Sequence, residues 1–244
     1  MQIRSFGVTF PSGQRPSPSL HDTAGWDQLI YATRGVMTVH TNEGSWVVPP
    51  HRGVWIPAGF RYTLEFSGVV ALRMLYLRRG LHKAPPGCSV VNVSPLLREL
   101  IVRTNLIGSL DTAIAGQKRL IGVILDELEM LVVVPLQLPL PRDPRAARFA
   151  GLAAAECTGD VAVNSLLRQS GASRRTLERV FRAETAMSLG QWLRRQKLLH
   201  ALRRLAAGEC VNAIALELGY NSSSAFIAMF RRELGQTPKK YFET

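Results

Sequence analysis

The segment that decides the fold is VNAIALELGYNSSSAFIAMFRRELGQTPKKYF, residues 211–242. After its glycine-bearing turn, Ser222 is followed by Phe226 and Phe230, at intervals of four and eight residues. A serine that starts a helix accepts hydrogen bonds from the free amides of the first turn. Apolar residues at this spacing lie on one face of a short helix. The segment therefore predicts a short apolar helix at 211–218, a tight turn and a serine-capped second helix.

The same pattern occurs earlier in the chain, in SGASRRTLERVFRAET, residues 170–185. Ser173 is followed by Leu177 and Phe181 at the same two intervals, and a short apolar segment, 161–169, precedes the turn. Helix, turn and capped helix is the helix-turn-helix arrangement, whose second helix enters the major groove of DNA with its N-terminal residues toward the bases. A helical bundle with ordinary caps would explain one copy. Two copies in matching register favour paired helix-turn-helix units.

A long apolar helix is predicted between the two copies, at 190–207. Trp192, Leu199 and Ala206 recur every seven residues, and Gly208 provides a stop. A helix of this length spans roughly 27 Å at 1.5 Å per residue. It therefore suits two recognition helices placed at about the 34 Å spacing of successive major-groove faces.

The exposed faces of the two predicted recognition helices differ in chemistry. Arginine in the first helix can donate two hydrogen bonds to guanine or bind phosphates, and glutamate can accept a hydrogen bond from cytosine. The leading positions of the second are small and nearly apolar, so we expect more backbone and thymine-methyl contact there. The exposed residues are Arg174, Arg175, Glu178, Arg179 and Arg182 in the first helix, and Ser223, Ser224, Ile227, Ala228, Arg231 and Arg232 in the second.

The charge of the chain favours a polyanionic partner. The formal net charge is +12. Residues 143–244 hold 16 basic and 9 acidic side chains, a net of +7, against +5 in residues 1–142. Lys and Arg that neutralise phosphates release condensed counterions, and this release drives binding to nucleic acid. We expect phosphate contacts from Ser173, Arg182, Ser222, Arg231, Arg232 and the tail residues Lys239 and Lys240.

The cysteines and the apolar runs predict a cytoplasmic protein with no membrane partner. Cys88, Cys157 and Cys210 form no C-x-x-C pair and do not resemble a disulfide framework, which favours a reducing compartment. The N-terminus has no apolar run typical of a signal peptide, and no run elsewhere approaches the roughly 20 residues that span a bilayer.

The first half of the chain has a residue pattern typical of β-strands. Between residues 27 and 77, short apolar and β-branched runs are separated by turn signals, among them Arg34-Gly35 and Ser67-Gly68. Many short strands at such spacing predict a small antiparallel barrel or sandwich. Two helices should follow. One is capped by Ser94 with Pro95 in its first turn, and the other lies at about 116–132. They either pack on the barrel or pair with a second copy of the chain.

These elements predict an α+β chain in three parts. Residues 1–134 form a β-domain with two trailing helices, and the proline-rich segment 135–145 is an extended spacer. Residues 146–244 form an all-α domain with helix-turn-helix units at about 161–184 and 211–234, joined by the long helix.

Residues 143–242 resemble the DNA-binding domain of the AraC/XylS family of transcription regulators. The matching segments are SGASRRTLERVFRAET, SLGQWLRRQKLLHALRRLAAG and the opening segment above. One departure is Leu167-Arg168, where relatives often have a Trp-Ala pair. The resemblance implies double-stranded DNA as the partner, with a small-molecule effector, RNA polymerase and a second copy as further partners. It places base contacts on Arg174, Arg175, Glu178 and Arg179, and on Ser223, Ser224, Ile227 and Ala228.

The segment DQLIYATRGVMTVHTNEGSWVVPPHRGVWIPAG, residues 27–59, resembles the cupin-type effector domain of one branch of this family. Cupin metal sites use a His-x-His pair and a later histidine. Here His21 has no such partner, and Tyr62 replaces the later histidine, so we expect no metal and no cofactor. The cupin-like barrel then holds a small organic effector, or none. Candidate lining residues are His21, Trp26, Trp55 and Tyr62, although aromatic residues in a small barrel are also ordinary core.

Two other functional classes compete with the regulator hypothesis. One is a cupin-type metal-dependent enzyme with a helical appendage, which the missing ligand triad disfavours. The other is a helical protein-interaction module, in which the arginines of residues 174–182 are incidental. The chain has no phosphate-binding glycine loop, G-x-S-x-G or H-E-x-x-H motif. We therefore expect no enzymatic activity.

Overall fold

The computed structural model describes residues 2–11, 25–81, 85, 87–134, 136–156 and 160–243. The chain divides into two compact units. The first comprises Met1–Asn42 and Trp46–Gln137, and the second comprises Glu43–Ser45 and Leu138–Thr244. Within the described ranges there are nine strands and nine helices, so the coarse prediction of a mixed chain with an antiparallel sheet and a helical C-terminal part is confirmed.

Most of the sheet is antiparallel and belongs to the first unit. Seven strands follow the order β7-β1-β5-β2-β4-β6-β8, and β3 pairs with β2 and β9. The strands are β1 (Ile3–Phe10), β2 (Trp26–Thr41), β3 (Gly44–Val48), β4 (Arg52–Ile56), β5 (Thr63–Arg78), β6 (Ser89–Asn92), β7 (Ser109–Leu110), β8 (Val133–Val134) and β9 (Gln137–Pro139).

Two predicted turns are wrong, because they lie inside continuous strands. Arg34-Gly35 lies within β2, and Ser67-Gly68 lies within β5. The two strands pair over most of their length, and their register shifts near Arg34, which marks an irregularity of the β-bulge type. Gly35 has φ +75°, and a Cβ there would lie 2.5 Å from the carbonyl oxygen of Val69. The strand bends at Gly35, and this bend requires glycine. The chain does not reverse its direction there.

The two trailing helices cover one face of this sheet. They are α1 (Pro95–Ile107) and α2 (Ala115–Glu129). The predicted Ser94 cap is confirmed, since its hydroxyl accepts from the Leu97 amide at 2.9 Å and also bonds Glu127 of α2. The buried helix side chains, which include Leu97, Ile101, Ile121 and Ile124, form one cluster with Leu29, Tyr31, Trp55 and Leu75 of the strands. Their buried faces therefore pack on the sheet.

The second unit is built from helices. They are α3 (Pro144–Glu156), α4 (Asp160–Ser170), α5 (Arg174–Thr185), α6 (Leu189–Ala206), α7 (Val211–Glu217), α8 (Ser223–Leu234) and α9 (Pro238–Glu243). The long helix predicted at 190–207 is confirmed within one residue at each end, as α6. No helix in the ranges given above is both long and apolar enough to cross a membrane.

The proline-rich segment is bonded to the helices of the second unit. It contains β9, and Asp143 caps α3 by accepting from the amides of Arg145 and Ala146. The indole of Trp192 in α6 donates to the carbonyl oxygen of Pro139 at 2.8 Å. The carboxylate of Glu184 in α5 accepts from the amides of Arg142 and Asp143. The backbone after residue 138 is thus fastened to α5 and α6.

Candidate nucleic-acid interface

Both recognition helices, α5 and α8, begin with the predicted serine cap. The Ser173 hydroxyl accepts from the Thr176 amide at 3.2 Å, and the Ser222 hydroxyl accepts from the Ala225 amide at 3.1 Å. Each serine has extended backbone angles, as a helix N-cap requires. The two helices therefore start at the residues that the repeat predicts.

The apolar residues four and eight positions after each serine are fully buried. They are Leu177, Phe181, Phe226 and Phe230, each with 0% of its surface exposed. The Phe181 ring contacts the Trp192 ring edge-on with centroids 5.2 Å apart, and the Phe230 ring contacts the Tyr241 ring at 5.6 Å. These contacts fix the orientation of each helix, so the opposite face is left for a partner.

Each recognition helix follows a glycine with a positive φ. Gly171 after α4 has φ +68°, and Gly219 after α7 has φ +77°. Glycine adopts this left-handed conformation without the penalty that a Cβ imposes, and it ends helices for that reason. The Tyr220 amide closes the second turn by donating to the Ala215 carbonyl oxygen at 2.9 Å. The two copies therefore share a glycine in the left-handed conformation at the end of the first helix.

Most of the predicted DNA contacts lie on the accessible side of these helices. Three residues of the sequence-based set have intermediate exposure. The exposed members are Arg174, Arg175, Arg179, Arg182, Ser173, Ser222, Ser224, Ala228, Arg231, Arg232, Lys239 and Lys240, and the half-buried members are Glu178, Ser223 and Ile227. The Ser223 hydroxyl donates to Asn212 of α7 at 2.6 Å.

Glu178 has a structural partner that the sequence did not reveal. Its carboxylate accepts from the Leu189 amide at 3.2 Å, in the first turn of α6. That turn also carries a capping box, in which Ser188 and Gln191 exchange hydrogen bonds. A carboxylate at a helix N-terminus is stabilised by the helix dipole. Glu178 therefore ties the first recognition helix to the connecting helix.

The two helix-turn-helix units share one groove of about 1060 Å³. Arg174 contributes from the start of α5, and Ala228 and Arg232 contribute from the exposed face of α8. Gly190, Arg194 and Lys197 of α6 also line it. The start of α5 and the exposed face of α8 therefore open onto the same groove.

In the first unit, the candidate effector residues that the structure describes make different contacts. His21 lies outside the described residues. Trp26 is half-buried, with the Arg4 guanidinium 4.6 Å from its ring centroid. Trp55 is fully buried in the cluster under α1 and α2. Tyr62 donates from its hydroxyl to the side-chain oxygen of Gln28 at 2.7 Å.

Gln28 is a polar residue that sequence reasoning missed. It is 0% exposed, and its side-chain nitrogen has no hydrogen-bond partner among the residues described. It pairs across the sheet with Tyr76 and Ile56. Because successive residues of a strand point to opposite faces, Gln28 faces away from the side of Leu29. Burial raises the pKa of Tyr62 to about 12, and burial also raises the pKa of Tyr76. A buried glutamine in the run QLIYAT was the available signal.

The histidines of this unit show no metal-binding arrangement in the part of the chain that the structure describes. His40 pairs with Glu65 at 3.1 Å on the sheet surface. The pKa of His51 is lowered, first by burial and then by the charges of Arg98 and Arg52. No group of three or more His, Cys, Asp or Glu side chains in the described ranges could hold a metal ion.

Comparison with known proteins identifies the helical part and relates most of the chain to one regulator. Residues 166–244 match the family model described as a helix-turn-helix domain. The chain is similar to the HTH-type transcriptional regulator NimR of Escherichia coli (strain K12), with 34% identity over 217 residues that cover 88% of this chain and 78% of that protein.

Two further similarities cover smaller parts of the chain. Regulatory protein SoxS of Salmonella typhimurium is 38% identical over 80 residues, which cover 32% of this chain and 75% of SoxS. A solved structure of the DNA-binding domain of AdpA, a global transcriptional factor, in complex with a target DNA is 33% identical, with a TM-score of 0.37, and covers 41% of this chain and 91% of that one. The chain contains a helix-turn-helix domain, and it aligns with a known transcription regulator along most of its length. It therefore belongs to the AraC/XylS family of DNA-binding transcription regulators.

Proposed function

We propose that this regulator reads its operator with both recognition helices at once and is controlled by a small molecule bound in its N-terminal domain. The DNA-reading part is residues 146–244, and the effector-binding and dimerisation part is residues 1–134, which we assign to the cupin-like class. The observation that carries the proposal is the shared groove, onto which the start of α5 and the exposed face of α8 both open.

Base reading is assigned first to the arginines of α5. Arg174, Arg175 and Arg179 are exposed, and an arginine can donate two hydrogen bonds to one guanine. Ser224, Ile227 and Ala228 of α8 suit contacts with the backbone and with thymine methyl groups. We assign Glu178 a positioning role instead of a base contact, because its carboxylate is already bonded to the Leu189 amide.

The effector site is assigned to the Gln28–Tyr62 pair. The side-chain nitrogen of Gln28 is a buried donor that has no partner among the described residues, and buried donors without partners are costly. A ligand with a hydrogen-bond acceptor would satisfy it. Control by such a ligand requires that it bind one arrangement of the protein better than another.

Further partners are a second copy of the chain and RNA polymerase. Leu96 and Leu106 of α1 are 51% and 77% exposed, and Met130 after α2 is 66% exposed, and these apolar side chains support a dimer contact through the two helices. RNA polymerase is proposed from the family alone. We propose no enzymatic activity, because the relatives are regulators, and a cytoplasmic location, because the partner is DNA.

The test is to sequence the duplex fragments that the purified full chain retains at physiological salt. The proposal expects one recurrent motif with two parts about one helical turn apart. Arg175→Ala should then lose about 1–3 kcal/mol of binding free energy and relax specificity at one base position. Retention of fragments with no common motif, or an Arg175→Ala variant with unchanged affinity and specificity, would contradict the proposal.

A further inference from the structure

The groove between the two helix-turn-helix units is lined by cations from three helices. Arg174 comes from α5, Arg194 and Lys197 come from α6, and Arg232 comes from α8. None of the described residues that line the groove is acidic. A concave surface with one sign of charge concentrates ions of the opposite sign. The partner that fits this surface is therefore a polyanion.

The connecting helix presents its cations on one face. Gly190, Arg194 and Lys197 are spaced by four and three residues, so they lie along one side of α6. The other side is packed into the unit, where Trp192 and Leu199 are almost fully buried. Arg194 is exposed and Lys197 is half-exposed. The cationic side is available to a ligand while the helix itself is held in place.

Lys197 is also held near the groove. Its ammonium group lies 5.9 Å from the centroid of the Tyr220 ring, within the range of a cation–π contact. Tyr220 follows the turn glycine of the second unit, and Asn221 beside it also lines the groove. A lysine placed this way binds as a point charge and requires no particular base. At the α6 end of the groove, Gly190 adds no side chain.

We infer that α6 binds the DNA backbone directly through Arg194 and Lys197, in addition to holding the two recognition helices apart. When two helices occupy successive major grooves, the duplex between them presents its sugar-phosphate backbone to whatever lies between the helices. In this chain α6 occupies that position. The inference rests on the proposed function, and it assigns α6 the sequence-independent part of the affinity.

The experiment compares four full-length variants with the wild type. The test variant is Arg194→Gln with Lys197→Gln, and the two single variants separate the contributions. The matched control is Arg203→Gln, which removes one positive charge from the same helix at a position that does not line the groove. Binding is measured by fluorescence anisotropy between 0.05 and 0.3 M salt, on the retained operator fragment and on a mixed-sequence duplex of equal length.

The double variant should reduce the slope of log K against log salt concentration by about 1.8, because each phosphate contact contributes about 0.9. Between 0.05 and 0.3 M salt, the affinity of the wild type should therefore fall about 25-fold more than the affinity of the double variant, and this difference should be similar on both duplexes. The Arg203→Gln control should leave the slope nearly unchanged. Methylphosphonate substitution of the backbone between the two half-sites should weaken the wild type and leave the double variant unaffected.

Three results would overturn the inference. The first is a double variant that keeps the wild-type slope on an operator that the wild type binds, which would refute the α6 contact and leave the proposed function intact. The second is a loss confined to the operator, which would indicate base reading by these side chains. The third is a wild type that retains no duplex at all, which would refute the proposed function as well. Circular dichroism of each variant checks that it is folded.

Discussion

Replacing Glu178 by alanine should destabilise the first helix-turn-helix unit. The change removes a hydrogen bond of 3.2 Å between the carboxylate and the Leu189 amide. A bond to a charged group contributes about 1.5–3 kcal/mol, and partial exposure of Glu178 favours the lower end. Loss of an anion at the N-terminus of α6 adds about 0.3–1 kcal/mol. We expect a total of about 2 kcal/mol.

The assay is hydrogen exchange of the full chain, followed in the peptide that contains Leu189. A local loss of about 1.4 kcal/mol accelerates exchange by about tenfold, so the expected change is on the order of tenfold to thirtyfold. Glu178→Gln keeps an acceptor oxygen and should show roughly half of the loss. Peptides of the sheet serve as an internal control and should exchange at the wild-type rate.

Arg179→Ala is the matched variant, because Arg179 is the exposed neighbour of Glu178 in the same helix. It should leave exchange at Leu189 unchanged and lower DNA affinity by about 1–3 kcal/mol. The opposite result would refute the positioning role of Glu178. In that case Glu178→Ala would leave hydrogen exchange at Leu189 unchanged and would alter only the preference for one base.

Three further perturbations test the folded state. Phe230→Ala should cost about 3–5 kcal/mol of unfolding free energy in urea titrations, because the ring is fully buried, and Phe230→Leu should cost much less. Gly35→Ala should cost more than about 2 kcal/mol, since its Cβ would lie 2.5 Å from the Val69 carbonyl oxygen, and a wild-type urea midpoint would contradict the bulge. Tyr62 has a pKa raised to about 12, so the neutral phenol is favoured in the folded protein and stability falls as pH rises from about 10 to 12. Tyr62→Phe should make this alkaline loss shallower, and an unchanged slope between pH 9 and 12 would show that Tyr62 does not contribute.

The sequence was most informative where the determining interactions are short in range. The caps at Ser173 and Ser222 and the buried residues after them depend on spacings within a single helix, and the structure confirms them. The length of α6 follows from a periodic apolar pattern, and it is confirmed as well.

Interactions between distant segments could not be predicted in this way. Arg34-Gly35 has the composition of a turn, but the pairing of Arg34 with Ala71 makes it part of a strand. The contact of Glu178 with Leu189 depends on the angle between two helices, which the sequence pattern does not specify. The hydrogen bond between Tyr62 and Gln28 depends on the three-dimensional arrangement of the strands in the sheet.

The hydrogen bonds made by the backbone just after residue 138 have a mechanical consequence. Pro139 is bonded to Trp192, and Arg142 and Asp143 are bonded to Glu184, so this part of the chain cannot lengthen without breaking them. Tension applied at Leu138 would therefore reach the end of α5 and the start of α6 within a few residues. A displacement of this short strand would act on the end of α5 and the start of α6 through these hydrogen bonds.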